Sequence, residues 1–226
     1  MVVPIITSEK VNRYFKSGSE TLHVLNDISI SIEPGTLTVL KGRSGSGKTT
    51  LLNLLGALDR PNGGTIYFDD INITDISEKS RDDLRRRNMG FVFQAVSLIS
   101  LMSAYENVEL GLRIAGSPLK NRHKRVEECL SLVGLQKRMN HRVHELSGGE
   151  QQRVAIARAI SHKPKVIFAD EPTAELDTHM GLQVIKIFKD LVSTEGITVV
   201  MSSHDPNIIE LADCVFSLQD GEIVGQ

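Results

Sequence analysis

The sequence has few of the features that direct a protein out of the cytoplasm. Its 226 residues include no tryptophan, only 4% aromatic residues and two cysteines, Cys129 and Cys214. Because the cysteines lie far apart and form no ligand-spaced cluster, we expect buried thiols in a reducing compartment. No segment approaches about 18 consecutive apolar residues, so we expect no membrane-spanning helix. The N-terminal stretch MVVPIITSEK has no basic region followed by a long apolar one, so we expect no signal peptide.

The sequence also lacks an excess of charge of either sign. Lysine and arginine number 26 and aspartate and glutamate 28, which gives a net charge of −2. This balance offers no electrostatic reason to bind nucleic acid, and we expect no nucleic-acid partner. Two local basic runs, Arg85 to Arg87 and Lys120 to Arg125, are interpreted as solvated helix faces. Contact of these runs with lipid or nucleic acid is the alternative.

Apolar segments and turns alternate along the chain as they do in α/β proteins. Strands are predicted at residues 28–32, 37–40, 64–68, 90–93, 166–169 and 197–201. Between about residues 95 and 162 the pattern is helical. A further helix is predicted to carry Leu182, Ile185, Phe188 and Leu191 on one face. Strands that alternate with helices predict a mostly parallel sheet covered on both sides.

The segment GRSGSGKTT, Gly42 to Thr50, lies between a predicted strand and a predicted helix. Its spacing, Gly-x-x-x-x-Gly-Lys-Thr in that setting, is typical of a phosphate-binding loop. Glycines let successive N–H groups point at an anion, and the following helix adds its positive end. We assign Lys48 to the β- and γ-phosphates and Thr49 to Mg²⁺. A Gly/Ser turn between core elements is the alternative, which the flanking elements disfavour.

The predicted nucleotide-binding residues of this loop are Gly42, Arg43, Ser44, Gly45, Ser46, Gly47, Lys48, Thr49 and Thr50.

A second candidate site follows the apolar segment Val166 to Ala169, which ends in Asp170 and Glu171. The carboxyl ends of strands in parallel sheets face the crevice where ligands bind. Asp170 is suited to hold Mg²⁺ directly or through a water, and Glu171 can accept a proton from an attacking water. Solvated acids at a strand end are the alternative, and the presence of a phosphate loop argues against it.

The segment Leu146-Ser147-Gly148-Gly149-Glu150 points to one family of nucleotide-binding proteins. Here the chain resembles the nucleotide-binding subunits of ABC transporters, whose signature is LSGGQ; this copy has Glu150 at the fifth position. Ser147 and Glu150 also match the capping box of an ordinary helix start. Such a start exposes N–H groups to an anion. The resemblance implies that Ser147, Gly148 and Gly149 contact the γ-phosphate held by the opposite subunit.

Other positions match the family residue by residue. Gln94 resembles the Q-loop glutamine that senses Mg²⁺ and links to the membrane domain. Asp177 resembles the D-loop aspartate, a role compatible with capping the next helix. His204 resembles the switch histidine that contacts the γ-phosphate. Phe15 lies where the family stacks an aromatic ring on adenine, with Tyr14 as the alternative.

The resemblance implies a P-loop NTPase fold of the α/β class. Its expected parts are a mostly parallel core sheet, an antiparallel β subdomain and a helical subdomain at about residues 95–162, within one domain spanning residues 1–226. It implies an ATPase that uses ATP and Mg²⁺. The implied catalytic residues are Lys48, Glu171 and His204, and the implied metal ligands are Thr49, Gln94 and Asp170.

The implied partners are an integral-membrane permease and a second ATPase subunit, most simply a copy of this chain. The protein would then be cytoplasmic and held at the inner face of the membrane by its permease. The apolar segment AVSLISLMSAYENV, residues 95–108, is predicted to be buried in the helical part or to receive a short cytoplasmic helix of the permease.

The chain looks closest to subunits of lipoprotein-releasing, macrolide-exporting and peptide-handling permeases. That branch reads EPTGNLD where this chain reads EPTAELD, and Ala174 and Glu175 are the departures. We expect Glu175 to change the affinity of the dimer, whereas ATP hydrolysis is expected to be retained. The predicted function is export or extraction of a peptide, lipoprotein or hydrophobic drug. The alternative is a transmembrane signalling or cell-division complex that the same ATPase drives without transport.

Overall fold

The computed structural model describes residues 3–18 and 20–225. Contacts divide the chain into two units, one made of Met1–Asp83 and Thr198–Gln226 and the other of Leu84–Ile197. Within the described ranges, no helix combines the length and the apolar character that a membrane span requires. The assignment of residues 95–162 to a helical subdomain of one domain, 1–226, stays a prediction.

The first unit contains an antiparallel sheet and a set of mostly parallel strands. Its first five strands are β1 (Ile6–Ser17), β2 (Glu20–Ile32), β3 (Leu37–Lys41), β4 (Gly63–Phe68) and β5 (Ile71–Asn72). Its last three strands are β8 (Thr198–Ser203), β9 (Cys214–Gln219) and β10 (Glu222–Gly225). Helices α1 (Lys48–Leu55) and α7 (Pro206–Ile209) belong to it, and α2 (Glu78–Asn88) begins in it.

The antiparallel sheet has the strand order β2-β1-β4-β5. The predicted alternation in β2 is real, because Ile28, Ile30 and Ile32 are buried while the residues between them are exposed. Strand β1 was not predicted individually. Register shifts interrupt its pairing with β2 between Ser8 and Val11 and again up to Tyr14, so no period of two runs along it.

The second set of strands in this unit has the order β10-β9-β3-β8. Strand β3 pairs in parallel with both β8 and β9, and its first four residues are completely buried. Such a continuous apolar strand is typical of a parallel sheet covered on both faces. The pairing of β3 with β8 and β9 fixes the position of its carboxyl end, where the phosphate loop begins.

The second unit combines two parallel strands with helices. Its elements are β6 (Met89–Val92), α3 (Ala104–Ile114), α4 (Leu119–Leu132), α5 (Gly148–Ile160), β7 (Val166–Asp170) and α6 (Thr178–Glu195). Strands β6 and β7 pair in parallel. A Cβ atom at Gly90 would lie 2.5 Å from the carbonyl oxygen of Ala159, so the glycine lets β6 approach helix α5 closely. This contact positions the helix that begins with the signature sequence.

Two predictions about burial are wrong. Leu182 is 42% exposed, whereas Val184, Ile185, Phe188 and Leu191 form the buried face of α6. Positions spaced by three residues drift around a helix of 3.6 residues per turn, so Leu182 and Leu191 lie on opposite sides. Cys214 is only half-buried, although Cys129 is buried as expected and burial raises the pKa of its thiol to about 11.

Candidate functional site

The phosphate loop joins β3 to α1 through a backbone that only glycine can adopt at two positions. Gly45 has φ 82°, and Gly47, the N-cap of α1, has φ 101°. A Cβ atom at Gly47 would lie 2.8 Å from Leu25 Cδ2, and one at Gly42 would lie 2.4 Å from Ser46 Oγ. The loop is therefore packed too closely for side chains at these positions. Its backbone can approach a ligand directly.

Within residues 3–18 and 20–225, neither a side-chain cap nor an acidic residue of the first turn lies at the N-terminus of α1. The Gly47 cap has no side chain to accept from the first N–H groups, and the first turn contains no acidic residue. Ser46 Oγ is buried and has no hydrogen-bond partner among the residues described. The positive end of a helix and a hydroxyl without a hydrogen-bond partner suit a phosphate group.

Lys48 is held inside this loop. The residue is only 5% exposed, and its Nζ donates to the carbonyl oxygens of Gly42 at 2.9 Å and Arg43 at 3.1 Å. A buried ammonium group is stabilised by a nearby anion, because the opposite charge offsets its desolvation. The position agrees with the predicted role of Lys48.

A cavity of about 610 Å³ borders the phosphate loop. It is lined by Gly42 to Ser46, by His204 and by residues at the end of β9 and in the β9–β10 hairpin. The structure thus brings His204, which follows β8, to the same cavity as the loop. The wall provided by Ser217 to Asp220 was not predicted, because only the pairing of β3 with β9 brings it there.

Phe15 lies on β1 with its ring partly accessible, the residue being 42% exposed. The guanidinium carbon of Arg13 sits 4.3 Å from the ring centroid. Asp59 fixes Arg13 through two hydrogen bonds of 2.9 Å and 3.1 Å. The ring of Tyr14 instead packs against His23, with centroids 5.6 Å apart. Phe15 is therefore the more exposed of the two candidates for stacking, and Arg13 is a neighbour that no sequence motif indicated.

In the second unit, Asp170 is the last residue of β7 and Glu171 follows it with φ 41°. A positive φ at a residue other than glycine costs about 1–3 kcal/mol and is most often retained at functional sites. The carbonyl of Glu171 accepts from Ala174 N at 3.1 Å, which closes a tight turn. Both carboxylates are partly accessible, as a metal ligand and a base require.

The signature sequence forms the capped start of α5. Ser147 Oγ accepts from Glu150 N at 3.3 Å, and Ser147 N donates to Glu150 Oε2 at 2.9 Å. The hydrogen bond from the Ser147 backbone lowers the pKa of Glu150, and Arg138 Nε lies 3.3 Å from the same carboxylate. Glu150 is thus a sound replacement for the family's glutamine, because its charge strengthens the cap.

The two signature glycines have different surroundings within the chain. A Cβ atom at Gly149 would lie 2.0 Å from Met180 Cε, so the flexible end of the Met180 side chain would have to move to admit one. At Gly148 the nearest atom would be Leu176 Cδ2 at 3.9 Å, which is an ordinary contact. Contacts within the chain therefore restrict a side chain at Gly149 more than at Gly148, where they give no reason for glycine.

The remaining predicted residues occupy accessible positions in the second unit. Asp177 caps α6 by accepting from Met180 N at 3.0 Å, so its structural role is real. Gln94 is exposed after β6, and Ala174 and Glu175 are exposed before α6. Across residues 3–18 and 20–225, no cluster of three His, Cys, Asp or Glu side chains could hold a metal by itself. The predicted hydroxyl, amide and carboxylate ligands fit Mg²⁺, which takes one or two carboxylates and completes its shell with phosphates and water.

Comparison with known proteins decides the family. Residues 25–174 match the family described as "ABC transporter". The chain belongs to the ABC transporter family. It is 42% identical over 220 residues to "Macrolide export ATP-binding/permease protein MacB" of Mannheimia succiniciproducens, covering 97% of this chain and 34% of that protein. The chain thus spans about a third of the length of the MacB relatives that it matches.

Other relatives match over nearly their whole length. The "Uncharacterized ABC transporter ATP-binding protein MJ0796" of Methanocaldococcus jannaschii is 40% identical over 223 residues, covering 97% of this chain and 95% of that protein. Its solved structure, "Dimeric Structure of MJ0796, a Bacterial ABC Transporter Cassette", matches with a TM-score of 0.90 at 39% identity and covers 97% of each chain. A second structure of MJ0796, described as a dimeric post-hydrolysis state bound to ADP and Pi, has a TM-score of 0.89 at 38% identity.

These findings confirm the predicted α/β ATPase fold and the relation to macrolide-export cassettes. The chain is therefore an ATPase cassette of the ABC family, and its relative MJ0796 is described with ADP and Pi bound.

Proposed function

We propose that this ABC cassette powers a membrane permease that exports or extracts a peptide, a lipoprotein or a hydrophobic drug. The observation that carries the proposal is the phosphate loop, where glycines too crowded for a side chain surround the buried Lys48. The printed name of the MacB relatives joins an ATP-binding part and a permease in one protein, which supports a permease partner for this chain. The cassette would then lie at the inner face of the membrane.

We assign each predicted site residue one task in ATP binding and hydrolysis. Lys48 and the N–H groups of the loop bind and orient the phosphates, and His204 contacts the γ-phosphate from the same cavity. Phe15 stacks on adenine. Glu171, held by a strained backbone, accepts the proton of the attacking water. Mg²⁺, which Thr49, Gln94 and Asp170 would hold through oxygen atoms, supplies charge neutralisation at the phosphates when bound.

Two copies act together. The relative MJ0796 is described as a dimeric cassette, and the open surroundings of Gly148 support an interface at the start of α5. We infer that Ser147, Gly148 and Gly149 of one copy present their N–H groups to the γ-phosphate bound by the other. Asp177 and the exposed Glu175 would lie near the same contact.

The segment after Gln94 is the proposed docking surface for the permease. Leu101 is 81% exposed, and Ile99 also exposes much of its apolar surface. Asn107 shapes this loop, because its side chain accepts from Ile99 N at 2.9 Å and donates to Ile99 O at 3.2 Å. Val108 at the end of the segment is buried, as the first interpretation predicts, whereas docking of a permease helix on the exposed loop stays a proposal.

Co-purification tests the permease proposal. A tagged Glu171→Gln variant, which should keep ATP bound, is held with ATP while host membranes are solubilised in mild detergent. A stoichiometric multi-span membrane protein in the mass spectrum is the expected result. Recovery of the ATPase alone, or with DNA or ribosomes, would contradict it. Vectorial transport by the reconstituted complex would then separate export from a signalling assembly, in which ATP is hydrolysed without movement of a substrate.

A further inference from the structure

The second unit contains a basic cavity that takes no part in the proposed ATPase cycle. It has a volume of about 360 Å³ and lies at the start of α4, beside the turn that follows α5. Its charged lining consists of Lys120, Lys124, Arg125, Glu128, His162 and Lys163. Three of these belong to the basic run Lys120 to Arg125, which was interpreted from sequence as a solvated helix face.

One of the cations in this cavity has a structural role. Arg125 donates to the carbonyl oxygens of Ser161 at 3.0 Å and Ile160 at 2.9 Å, so it caps the C-terminal end of α5. Its Nη1 lies 3.3 Å from the carboxylate of Glu128, which offsets its charge. Arg125 and Glu128 together therefore leave the cavity close to neutral.

The excess positive charge comes from three lysines. Lys120, Lys124 and Lys163 line the cavity, and none of them has an ion-pair partner within the part of the chain that the structure describes. Like charges gathered around a small concave space repel one another, and concave walls of low dielectric strengthen their combined field. An anion in the cavity would relieve this repulsion.

The positive end of helix α4 adds to the attraction for an anion, and His162 is a group that can respond to one. Helix α4 begins at Leu119 after Pro118, with no side-chain cap and no acidic residue in its first turn, so its positive end is not neutralised locally. His162 Nε2 lies 3.0 Å from the Met89 carbonyl oxygen and must donate to it, which leaves Nδ1 as the second site for a proton. Burial of His162, with Arg125 nearby, lowers its pKa.

We propose that this cavity is a binding site for a phosphate-bearing anion, separate from the phosphate loop. The anion would be ligated by Lys120, Lys124 and Lys163. Free phosphate compounds and the headgroup of an anionic phospholipid share this chemistry. The inference rests on the cavity alone and is independent of the proposed permease.

Amide NMR of the full chain, titrated with inorganic pyrophosphate, tests the site because it reports where the probe binds. We expect one set of shifts in residues 42–50, from the phosphate loop, and a second set around residues 117–125 and 161–163. A Lys124→Gln/Lys163→Gln variant should weaken the second set about tenfold or more and leave the first unchanged. The matched control is Lys186→Gln, which removes the charge of an exposed lysine on α6 in the same unit.

The His162 imidazole gives a second reading at the same site. A bound anion favours the protonated ring, so the pKa of His162 should rise when pyrophosphate is added. The charged groups around it are Lys120, Lys124, Arg125, Glu128 and Lys163. In the double-lysine variant that rise should be lost, whereas it should persist in the Lys186→Gln control.

Vesicle flotation distinguishes the sources of the anion. A lipid headgroup is identified if the protein floats with phosphatidylglycerol/phosphatidylcholine vesicles but not with phosphatidylcholine vesicles. The double-lysine variant should then no longer float with the phosphatidylglycerol/phosphatidylcholine vesicles. Pyrophosphate shifts at the cavity without flotation identify a free phosphate compound. Shifts confined to residues 42–50, or cavity shifts equally strong in the double variant and in the control, would overturn the proposal. Unchanged phosphate-loop shifts in the double variant show that it is folded.

Discussion

Adding a single methyl group at Gly148 distinguishes two roles of the start of α5, which are capping the helix and binding the γ-phosphate of a second copy. Within the chain, a Cβ atom there would lie no closer than 3.9 Å to another heavy atom, that of Leu176 Cδ2. Gly148 is also absent from the residues with positive φ, so alanine can adopt its backbone conformation. If α5 begins at this sequence only because Ser147 and Glu150 cap it, Gly148→Ala should be harmless.

The expected effect on stability follows from these contacts. Replacing glycine with alanine where the backbone permits it stabilises a protein by about 0.4–1 kcal/mol, mainly through the unfolded state. For a chain of this size, about 1 kcal/mol corresponds to a rise in Tm of about 2–4 °C. We therefore expect the Tm of Gly148→Ala, measured by circular dichroism, to be unchanged or up to about 4 °C higher.

The expected effect on activity is opposite in sign. In the proposed dimer the same methyl group would stand between the N–H groups of α5 and the γ-phosphate of the other copy. Loss of one such donor to a developing charge typically lowers kcat by about 10²–10³. Steady-state ATPase of the variant should fall by about 100-fold, with loss of ATP-dependent dimerisation.

The control is Gly63→Ala, which adds the same methyl group on β4, where the nearest atom is Asn12 Cβ at 3.8 Å. Its ATPase should equal that of the wild type. A Gly148→Ala variant with both normal Tm and normal ATPase would refute the reasoning, since the glycine would then be needed by neither the chain nor a partner.

Three other substitutions test separate parts of the account. Lys48→Ala should weaken ATP binding by about 100-fold or more in calorimetry, because the buried ammonium group is removed; normal binding would contradict the loop assignment. Phe15→Ala should weaken ATP binding about 5- to 100-fold and leave tripolyphosphate binding unchanged, since stacking on a base contributes about 1–3 kcal/mol. If Tyr14→Ala weakens ATP binding by this amount and Phe15→Ala does not, Tyr14 is the residue that stacks on adenine. Leu101→Glu should keep basal ATPase and lose the co-purified permease, because its side chain is exposed; retention of the permease would count against the docking surface.

The strands that sequence predicted well are those with an uninterrupted apolar pattern. Strands β3 and β7 each extend only one residue beyond the predicted segment, because both are buried on all sides and end at a polar residue. Strand β1 was missed individually, since its bulges break the alternation on which prediction depends. Leu182 was misplaced because a spacing of three residues is not the helical period.

The motif residues of the site could be predicted because each phosphate-binding or catalytic segment is contiguous in sequence. Neighbours that depend on tertiary packing could not. Arg13 lies over Phe15 where Asp59 and Asn62 hold it, and no pattern in the sequence links these residues. The basic cavity likewise needs Lys163 from the turn after α5 to join the lysines of α4.

The most direct test of the central claim is the mass of Glu171→Gln in solution, measured by light scattering after gel filtration. With ATP and Mg²⁺ the variant should bind nucleotide without turnover and elute with the mass of two chains, whereas with ADP it should have the mass of one. A single-chain mass at high protein concentration, with ATP still bound and intact, would contradict an ATPase cycle in which each site is completed by the signature sequence of a second copy.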